Sequence, residues 1–300
     1  MKKVRGRKLR LRLAGAAVLA LVVLALAGLV LLKDPLVGLV ADQVPASVEV
    51  ELGKVFFGQI STQLQLVDDD GIDATLDQLV APLLAGVPDA GYPFDFHLAA
   101  DPTLNAFAIP GGHVVLHSGL VLEAETPEEV LGVLAHEIAH VTERHSLRQL
   151  VSAAGVYVLV QTLFGDLTGL AAVLADGGLQ LLTLEFSRDH ERDADEVGFR
   201  YLTDAGIDPR GMISFFEKLQ AEQERLAGDA AALERHLGFL STHPSSAERI
   251  ERLTARWEEI RETADFPPQE IDLAAFQAKI RQTVVAAEPE TAEQETGDGP

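Results

Sequence analysis

The stretch that decides the fold is TPEEVLGVLAHEIAHVTERHSLR, residues 126–148 of this 300-residue sequence. Thr126 is a suitable N-cap and Pro127 suits the first helical position. Glu129 lies three residues after the cap, which is the spacing of a capping box. These signals predict a helix that begins here and continues to about Arg148, with the pentapeptide HEIAH near its middle.

The pentapeptide HEIAH has the residue types and the spacing of a metal site on a helix. His136 and His140 are four residues apart, so both imidazoles project from one helix face and can bind the same ion. Glu137 can reach the water that such an ion activates and act as general base. The chain contains no cysteine, which excludes thiolate ligands, a disulfide framework and a cysteine nucleophile.

A catalytic zinc site needs a third protein ligand and one open position. A third histidine six residues after His140 is excluded because that position is Ser146. The remaining route is a carboxylate from a later helix, and SRDHERDAD at 187–195 supplies Glu191. Asp195 follows one turn later, where it can orient a ligand histidine through the second ring nitrogen. Six further histidines are expected to be surface or hydrogen-bonded core residues: His97, His113, His117, His145, His190 and His236.

The predicted fold is α+β and mainly helical, with a small sheet beside the metal-binding helix. Strands are predicted for FDFHLAAD at 94–101 and for NAFAIPGGHVVLHSGL at 105–120, the second interrupted by a proline and two glycines. A proline within a strand indicates a sheet edge, so we expect this segment to hold an extended substrate by strand addition. The residues predicted to form this substrate edge are Asn105, Ala106, Phe107, Pro110, Gly111 and Gly112.

Further helices are predicted from capping residues and apolar spacing. One begins at 68–70, one covers 187–202, one begins at 208–209, and one forms an exposed segment at 248–260. The apolar stretch 150–186 is divided by glycines and aspartates, which favours two buried helices. The alternative is an apolar rim that enters the lipid beside a membrane anchor.

The N-terminus has the composition of a membrane segment. Twenty uncharged residues, Leu13–Leu32, are long enough to cross about 30 Å of hydrocarbon as a helix, and seven basic residues precede them. The positive-inside tendency predicts a single-pass protein of the cytoplasmic (inner) membrane with its folded domain on the periplasmic side. The alternative is a periplasmic protein released by signal cleavage after Ala27. The predicted division is a basic head and anchor at 1–33, the metal-site domain at 34–262, and a C-terminal helix with an acidic disordered tail at 263–300.

The net charge of -22 at pH 7 argues against nucleic acid as a partner. Seven of the 24 lysines and arginines lie within residues 1–12, so the rest of the chain has 17 basic residues against 46 acidic ones. Binding to phosphates needs the opposite balance. Proteins and the membrane remain as the predicted partners.

Four motifs in this order resemble those of the HtpX-type and CAAX-prenyl-protease-type family of zinc metalloendopeptidases. They are NAFAIPGG before HVVLHSGL, then HEIAHVTERH, then SRDHERDAD, and finally Thr242-His243-Pro244 followed by Arg249. The resemblance covers about residues 45–260 and is strongest to the BepA-like members, whose catalytic domain is periplasmic.

The resemblance implies a zincin-type metalloprotease domain in which His136, His140 and Glu191 bind one zinc ion per chain and Glu137 is the general base. The predicted reaction is hydrolysis of peptide bonds in misfolded or misassembled envelope proteins. One alternative is an envelope-protein assembly chaperone whose protease activity is secondary or latent. Another is a structural zinc domain without activity.

His243 lies on a short loop before a proline, and three roles for it remain open. It can bind zinc at the fourth position and close the resting site, donate to the oxyanion of the transition state, or lie on the surface. The first role is favoured because a protease with loose recognition needs a restraint. Arg249 is expected to pair with Asp195 and thereby connect this loop to the helix that carries Glu191.

Overall fold

The structure is a computed structural model that describes residues 32, 34–88, 91–152, 185–229, 236–244 and 247–287. Almost all of the predicted membrane segment, most of the apolar stretch 150–186 and the acidic tail lie outside these residues. Within the described part, no helix combines the length and apolar character needed to cross a bilayer.

The described residues form a mainly helical fold with one small sheet, as the sequence predicts. The helices are α1 (Ala46–Ile60), α2 (Asp70–Ala85), α3 (Ser118–Glu123), α4 (Pro127–Thr142), α5 (Arg188–Asp204), α6 (Arg210–Arg225), α7 (Gly238–Thr242), α8 (Ala247–Ile260) and α9 (Leu273–Ala287). The strands are β1 (Asp95–Ala99), β2 (Ala106–Ala108) and β3 (His113–His117).

Three helices begin at side-chain caps, and the sequence predicts the caps of α2 and α4. The Asp69 carboxylate accepts two amide hydrogen bonds of 2.9 and 3.0 Å at the start of α2. Thr126 at α4 and Ser187 at α5 each accept one from the amide three residues later. Such caps stabilise a helix by about 1 kcal/mol each. They place the first turns of α4 and α5, the two helices that carry the predicted metal ligands.

Helix α4 ends at Thr142, so the predicted continuation to Arg148 is wrong. Arg144 adopts a left-handed backbone conformation with φ of 59°, which costs a non-glycine residue about 1–2 kcal/mol. Its side chain offsets that cost by donating to the Glu49 carboxylate at 2.9 Å and to the Val44 carbonyl at 2.7 Å. The chain then turns and resumes a helical path at 145–152.

The sheet has the strand order β1-β3-β2. Strand β1 is parallel to β3, and β2 is antiparallel to it. The predicted strand 94–101 is thereby confirmed as β1. The predicted strand 105–120 is wrong in two places, because 109–112 form the turn between β2 and β3 and 118–123 form α3.

The turn between β2 and β3 packs under α1. Gly111 has φ of 88°, and a side chain there would come within 2.7 Å of the Val50 Cα atom. A Cβ atom added at Gly53 would lie only 1.9 Å from the Pro110 carbonyl oxygen. Pro110, Gly111 and Gly112 therefore belong to a turn beneath α1 and not to the edge strand predicted from the sequence.

Helix α4 is the centre of the core. All of its residues from Glu129 to Val141 are buried, and it packs against α5, α6, α2 and β2. Leu273, Phe276 and Ile280 of α9 join the same core. Helix α9 therefore packs on the metal-site domain, for which the predicted last residue is 262. The predicted helix 248–260 is present as α8, but it is not wholly exposed, because Arg249 and Leu253 are buried.

Candidate metal centre

The two histidines of HEIAH lie buried on the same face of α4. His136 is 0% and His140 1% exposed. Their Nε2 atoms are 3.1 Å apart. This places two imidazole nitrogens at one point inside the core, as the four-residue spacing predicts.

Glu191 on α5 faces both imidazoles. Its Oε2 atom is 3.5 Å from His136 Nε2, and its Oε1 atom is 3.4 Å from His140 Nε2. Helix α5 reaches this position because it packs closely on α4: a Cβ atom at Gly198 would be 3.0 Å from the Ala135 carbonyl carbon and oxygen. The absence of a side chain at Gly198 lets the two ligand-bearing helices approach.

His243 completes the cluster directly after α7. Its Nδ1 atom is 3.2 Å from His136 Nε2 and 2.8 Å from Glu191 Oε1. The ring stacks on Phe186 and Phe239 at centroid distances of 5.2 and 4.5 Å. His243 is 1% exposed, so it does not lie on a surface loop.

The four side chains fit a tetrahedral metal ion. One donor atom from each of His136, His140, Glu191 and His243 lies within 4.8 Å of the others. Zinc with bonds of 2.0–2.1 Å to nitrogen places neighbouring ligands about 3.3–3.4 Å apart. The contacts observed between these donors span 2.8 to 3.5 Å. Imidazole and carboxylate are also the donor types left to a chain without cysteine.

Glu137 lies beside this cluster with a free oxygen atom. Its Oε1 is 3.4 Å from His243 Nε2 and accepts no hydrogen bond from the described residues. The Ala108 backbone amide on β2 donates to the carboxylate. Burial raises the pKa of Glu137 above its usual value. A buried carboxylate with a raised pKa is a stronger proton acceptor.

Asp195 contacts the ring nitrogen of His136 that is not part of the cluster. Its Oδ1 atom is 3.2 Å from His136 Nδ1, the ring nitrogen that faces away from the cluster. Arg249 donates to both Asp195 oxygens at 2.9 and 2.6 Å, and Arg252 donates to one at 2.8 Å. Arg249 Nη1 also lies 2.6 Å from Glu191 Oε2. The predicted pair of Asp195 and Arg249 is present, and Arg249 connects it to a ligand.

His145 supports His140 in the same way. Its Nδ1 atom is 3.1 Å from His140 Nδ1, and its Nε2 atom is 3.2 Å from an Asp193 oxygen. His145 is thus a hydrogen-bonded core residue, one of the two possibilities predicted for it, and its contact with His140 was not predicted. The left-handed turn at Arg144 brings this side chain back to His140.

The centre of the cluster stabilises positive charge. Burial works against a charged His136, but the Asp195 and Glu191 carboxylates outweigh it and raise the pKa of His136 to about 9. Burial lowers the pKa of His140 well below its usual value, so this imidazole is neutral and can bind a metal. Despite burial, His243 and the two HEIAH histidines hold the pKa of Glu191 far below its usual range. A cation is therefore favoured at this point.

Strand β2 is an edge strand of the described sheet and lies beside Glu137, with Ala106 and Ala108 buried. The Asn105 carbonyl accepts a backbone hydrogen bond from the His117 amide, and the Ile109 amide donates to the His113 carbonyl. Because backbone groups alternate in direction along an antiparallel strand, those of Ala106 and Ala108 point away from β3. The hydrogen bond that the Ala108 amide donates to Glu137 agrees with this direction. Of the predicted edge residues, Asn105 precedes β2, and Ala106 and Phe107 lie in it.

Comparison with known sequences agrees with this geometry. The sequence profile described as Peptidase family M48 matches residues 69–257, more than half of the chain. The chain belongs to peptidase family M48. The M48 segment runs from the cap of α2 into α8 and contains the whole buried cluster.

Three M48 relatives show how far the similarity extends. The beta-barrel assembly-enhancing proteases of Yersinia pestis and Escherichia coli K12 are 32% and 30% identical over 214 residues, which is 67% of this chain and 42% of each relative. The mitochondrial metalloendopeptidase OMA1 of Schizosaccharomyces pombe is 32% identical over 200 residues, 65% of this chain and 55% of that protein. The chain therefore spans less than half the length of the two bacterial relatives.

Proposed function

We propose that this M48 chain is a zinc metalloendopeptidase that hydrolyses peptide bonds of misfolded or misassembled envelope proteins. The observation that carries the proposal is the position of Glu137, whose buried carboxylate accepts from the Ala108 amide of β2 and turns an oxygen without a hydrogen bond from the described residues toward His243 of the cluster. A closed structural metal site has no use for such a carboxylate. The names of the relatives, which are proteases of beta-barrel assembly and of mitochondria, support the same reaction.

Each residue of the centre would have its own role in peptide hydrolysis. His136, His140 and Glu191 would hold one zinc ion, which supplies a Lewis acid for the peptide carbonyl and lowers the pKa of water. Glu137 would take a proton from the attacking water and pass it to the leaving amine. Asp195 and His145 would hold the two imidazoles in the orientation and tautomer that metal binding needs.

The edge of β2 would hold the substrate. An extended peptide would pair with β2 as a further strand at Ala108, whose amide would exchange its hydrogen bond with Glu137 for one with the peptide, and the peptide carbonyls would then pass Glu137. Because such pairing recognises the backbone of the substrate, substrates of many different sequences can bind. This mode of binding therefore suits unfolded segments of many proteins, as a quality-control protease requires.

His243 would restrain the activity. Its position within 3.2 Å of His136 Nε2 and 2.8 Å of Glu191 Oε1 lets it occupy the fourth metal position in a resting state. A substrate would then have to displace the imidazole, whose role after displacement would be to donate to the oxyanion. This closed arrangement also favours the second candidate, an envelope-protein assembly chaperone with secondary or latent protease activity.

Replacing Glu137 with Gln tests the proteolytic function. The Glu137→Gln chain should keep stoichiometric zinc and lose casein cleavage by about 10²–10⁴-fold, because the ligands are intact and the proton acceptor is gone. Glu143→Gln, on the turn after α4, is the matched control and should cleave normally. Casein cleavage that survives Glu137→Gln would contradict the assignment. A cellular phenotype rescued by the inactive variant would favour the chaperone.

We place the protein in the inner membrane with its catalytic domain in the periplasm. The support is the uncharged run Leu13–Leu32 behind seven basic residues. Protease added to spheroplasts should digest the catalytic domain while it stays with the membrane fraction. A soluble form whose N-terminus lies near Gly28 would instead identify the run as a cleaved signal peptide.

A further inference from the structure

A second group of metal-binding side chains lies on the sheet, outside the M48 centre. Asp95 and His97 are two residues apart on β1, so their side chains project from one face. His113 on β3 is paired directly with Asp95, which puts its side chain beside theirs. The parallel pairing of two strands distant in sequence thus creates a cluster of two imidazoles and one carboxylate.

The three donor atoms form a nearly equilateral triangle. His97 Nε2 is 3.4 Å from His113 Nδ1. Asp95 Oδ2 is 3.2 Å from His97 Nε2 and 3.5 Å from His113 Nδ1. Zinc with bonds of 2.0–2.1 Å to nitrogen has ligands about 3.3–3.4 Å apart. The triangle therefore has the dimensions of one face of a tetrahedral site.

The imidazole rings of His97 and His113 are held in place by the Phe57 ring. Phe57 of α1 stacks on His97 at a centroid distance of 4.1 Å and on His113 at 4.5 Å. This packing restricts the rotamers of both imidazoles, so binding a metal ion costs little side-chain entropy.

We propose that Asp95, His97 and His113 form a second metal site that binds a divalent transition metal of the zinc class. Imidazole nitrogens select such ions over magnesium or calcium, which prefer oxygen ligands. The Asp95 side chain is 58% exposed and the two histidine side chains are 20% and 17% exposed. The fourth position would face solvent and take a water molecule. The ion would join β1 to β3 beneath α1 and stabilise the sheet whose β2 edge holds the substrate.

The site can be measured separately from the M48 centre. In the full-length His136→Gln, His140→Gln chain, which lacks two ligands of that centre, we expect one equivalent of zinc to remain. Cobalt bound in its place should give the visible absorption of a four-coordinate ion. Adding His113→Gln should remove both signals, whereas adding His236→Gln, at an exposed position, should leave them unchanged.

Asp95→Asn provides a second variant that spares the core, because Asp95 is exposed. Losing the carboxylate charge should weaken zinc binding to the sheet cluster at least tenfold. The proposal is overturned if the His136→Gln, His140→Gln chain binds no zinc at micromolar concentrations. It is equally overturned if zinc persists after His113→Gln is added, or if Asp95→Asn leaves the zinc affinity unchanged. These outcomes do not depend on whether the protein cleaves casein, so they leave the proposed proteolytic function to its own test.

Discussion

His243 is in contact with both a predicted metal ligand and the predicted general base. Its Nδ1 atom meets Glu191 at 2.8 Å, while its Nε2 atom is 3.4 Å from Glu137. The same ring is enclosed by Phe186 and Phe239. We propose that an imidazole in this position would compete with any substrate carbonyl that approaches a bound ion, so that the side chain acts as a gate.

Truncating His243 should therefore increase activity. We expect His243→Ala to retain zinc and to raise basal casein cleavage about tenfold, which corresponds to removing a competing interaction of about 1.4 kcal/mol. The measurement is initial rate against substrate concentration, together with zinc content. A large fall in kcat at unchanged zinc would show instead that His243 donates to the transition state, and an unchanged rate would leave it without either role.

His145 is the residue whose support of a ligand only the structure reveals. Replacing a partner of a metal-binding histidine typically weakens metal binding 10–100-fold. We expect His145→Ala to lower zinc affinity of the M48 centre within that range, measured by competition with a chelator. His190→Ala is the control, because His190 stacks on His145 at 4.5 Å without a contact to His140 among those observed. Equal zinc affinity in His145→Ala and wild type would refute this supporting role.

At the level of elements, the metal centre depends on the spacing of α4 and α5. The ligands on α4 come from one helix turn, but Glu191 and Asp195 reach them only if α5 lies close by. A Cβ atom at Gly198 would stand 3.0 Å from the Ala135 carbonyl group and 3.1 Å from the His136 amide nitrogen. These are backbone atoms of a buried helix, so they cannot move aside freely.

Gly198→Ala should separate the two helices by a few tenths of an ångström. We expect a loss of about 1–3 kcal/mol in unfolding free energy from overpacking, accompanied by weaker zinc binding. Urea unfolding and chelator competition measure the two effects. The control is Gly58→Ala on α1, where no atom lies within 4 Å of the added methyl group and stability should rise by up to about 1 kcal/mol. A stable Gly198→Ala chain with normal zinc affinity would show that this contact is not limiting.

At the level of the whole molecule, the metal centre connects parts of the chain that are distant in sequence. Its donors come from α4, from α5 and from the residue after α7, and Arg249 of α8 pairs with Asp195 and Glu191. Helix α9 packs into the same core. An ion bound at this centre would therefore stabilise contacts among several helices and not a single loop.

Removing the metal should lower the thermal stability of the full chain. A ligand present at about 1,000 times its Kd contributes about 4 kcal/mol, which corresponds to a Tm shift on the order of 10 °C for a domain of this size. Calorimetry with and without chelator measures the shift. The His140→Gln chain should show a smaller one, due to the sheet cluster alone. A chelator effect of the same size in both chains would contradict a stabilising ion at the M48 centre.

Short-range patterns in the sequence predict much of this protein. Capping residues locate the starts of α2 and α4, because a cap involves only three or four consecutive residues. The helical period puts His136 and His140 on one face, and it puts Asp195 one turn after Glu191. These features depend on local geometry alone, so the sequence by itself determined the helix that carries HEIAH and the family, while Glu191 as the third ligand stays a prediction.

Other parts of the site were decided by the tertiary structure, since they depend on how distant segments pair. One left-handed residue, Arg144, ends α4 early and turns His145 toward His140. The antiparallel pairing of β2 points the Ala108 amide at Glu137, and the parallel pairing of β1 and β3 assembles the sheet cluster. A shift of one residue in either register would turn those groups to the opposite side. No local pattern in the sequence specifies such a register, because it follows from the packing of the whole core.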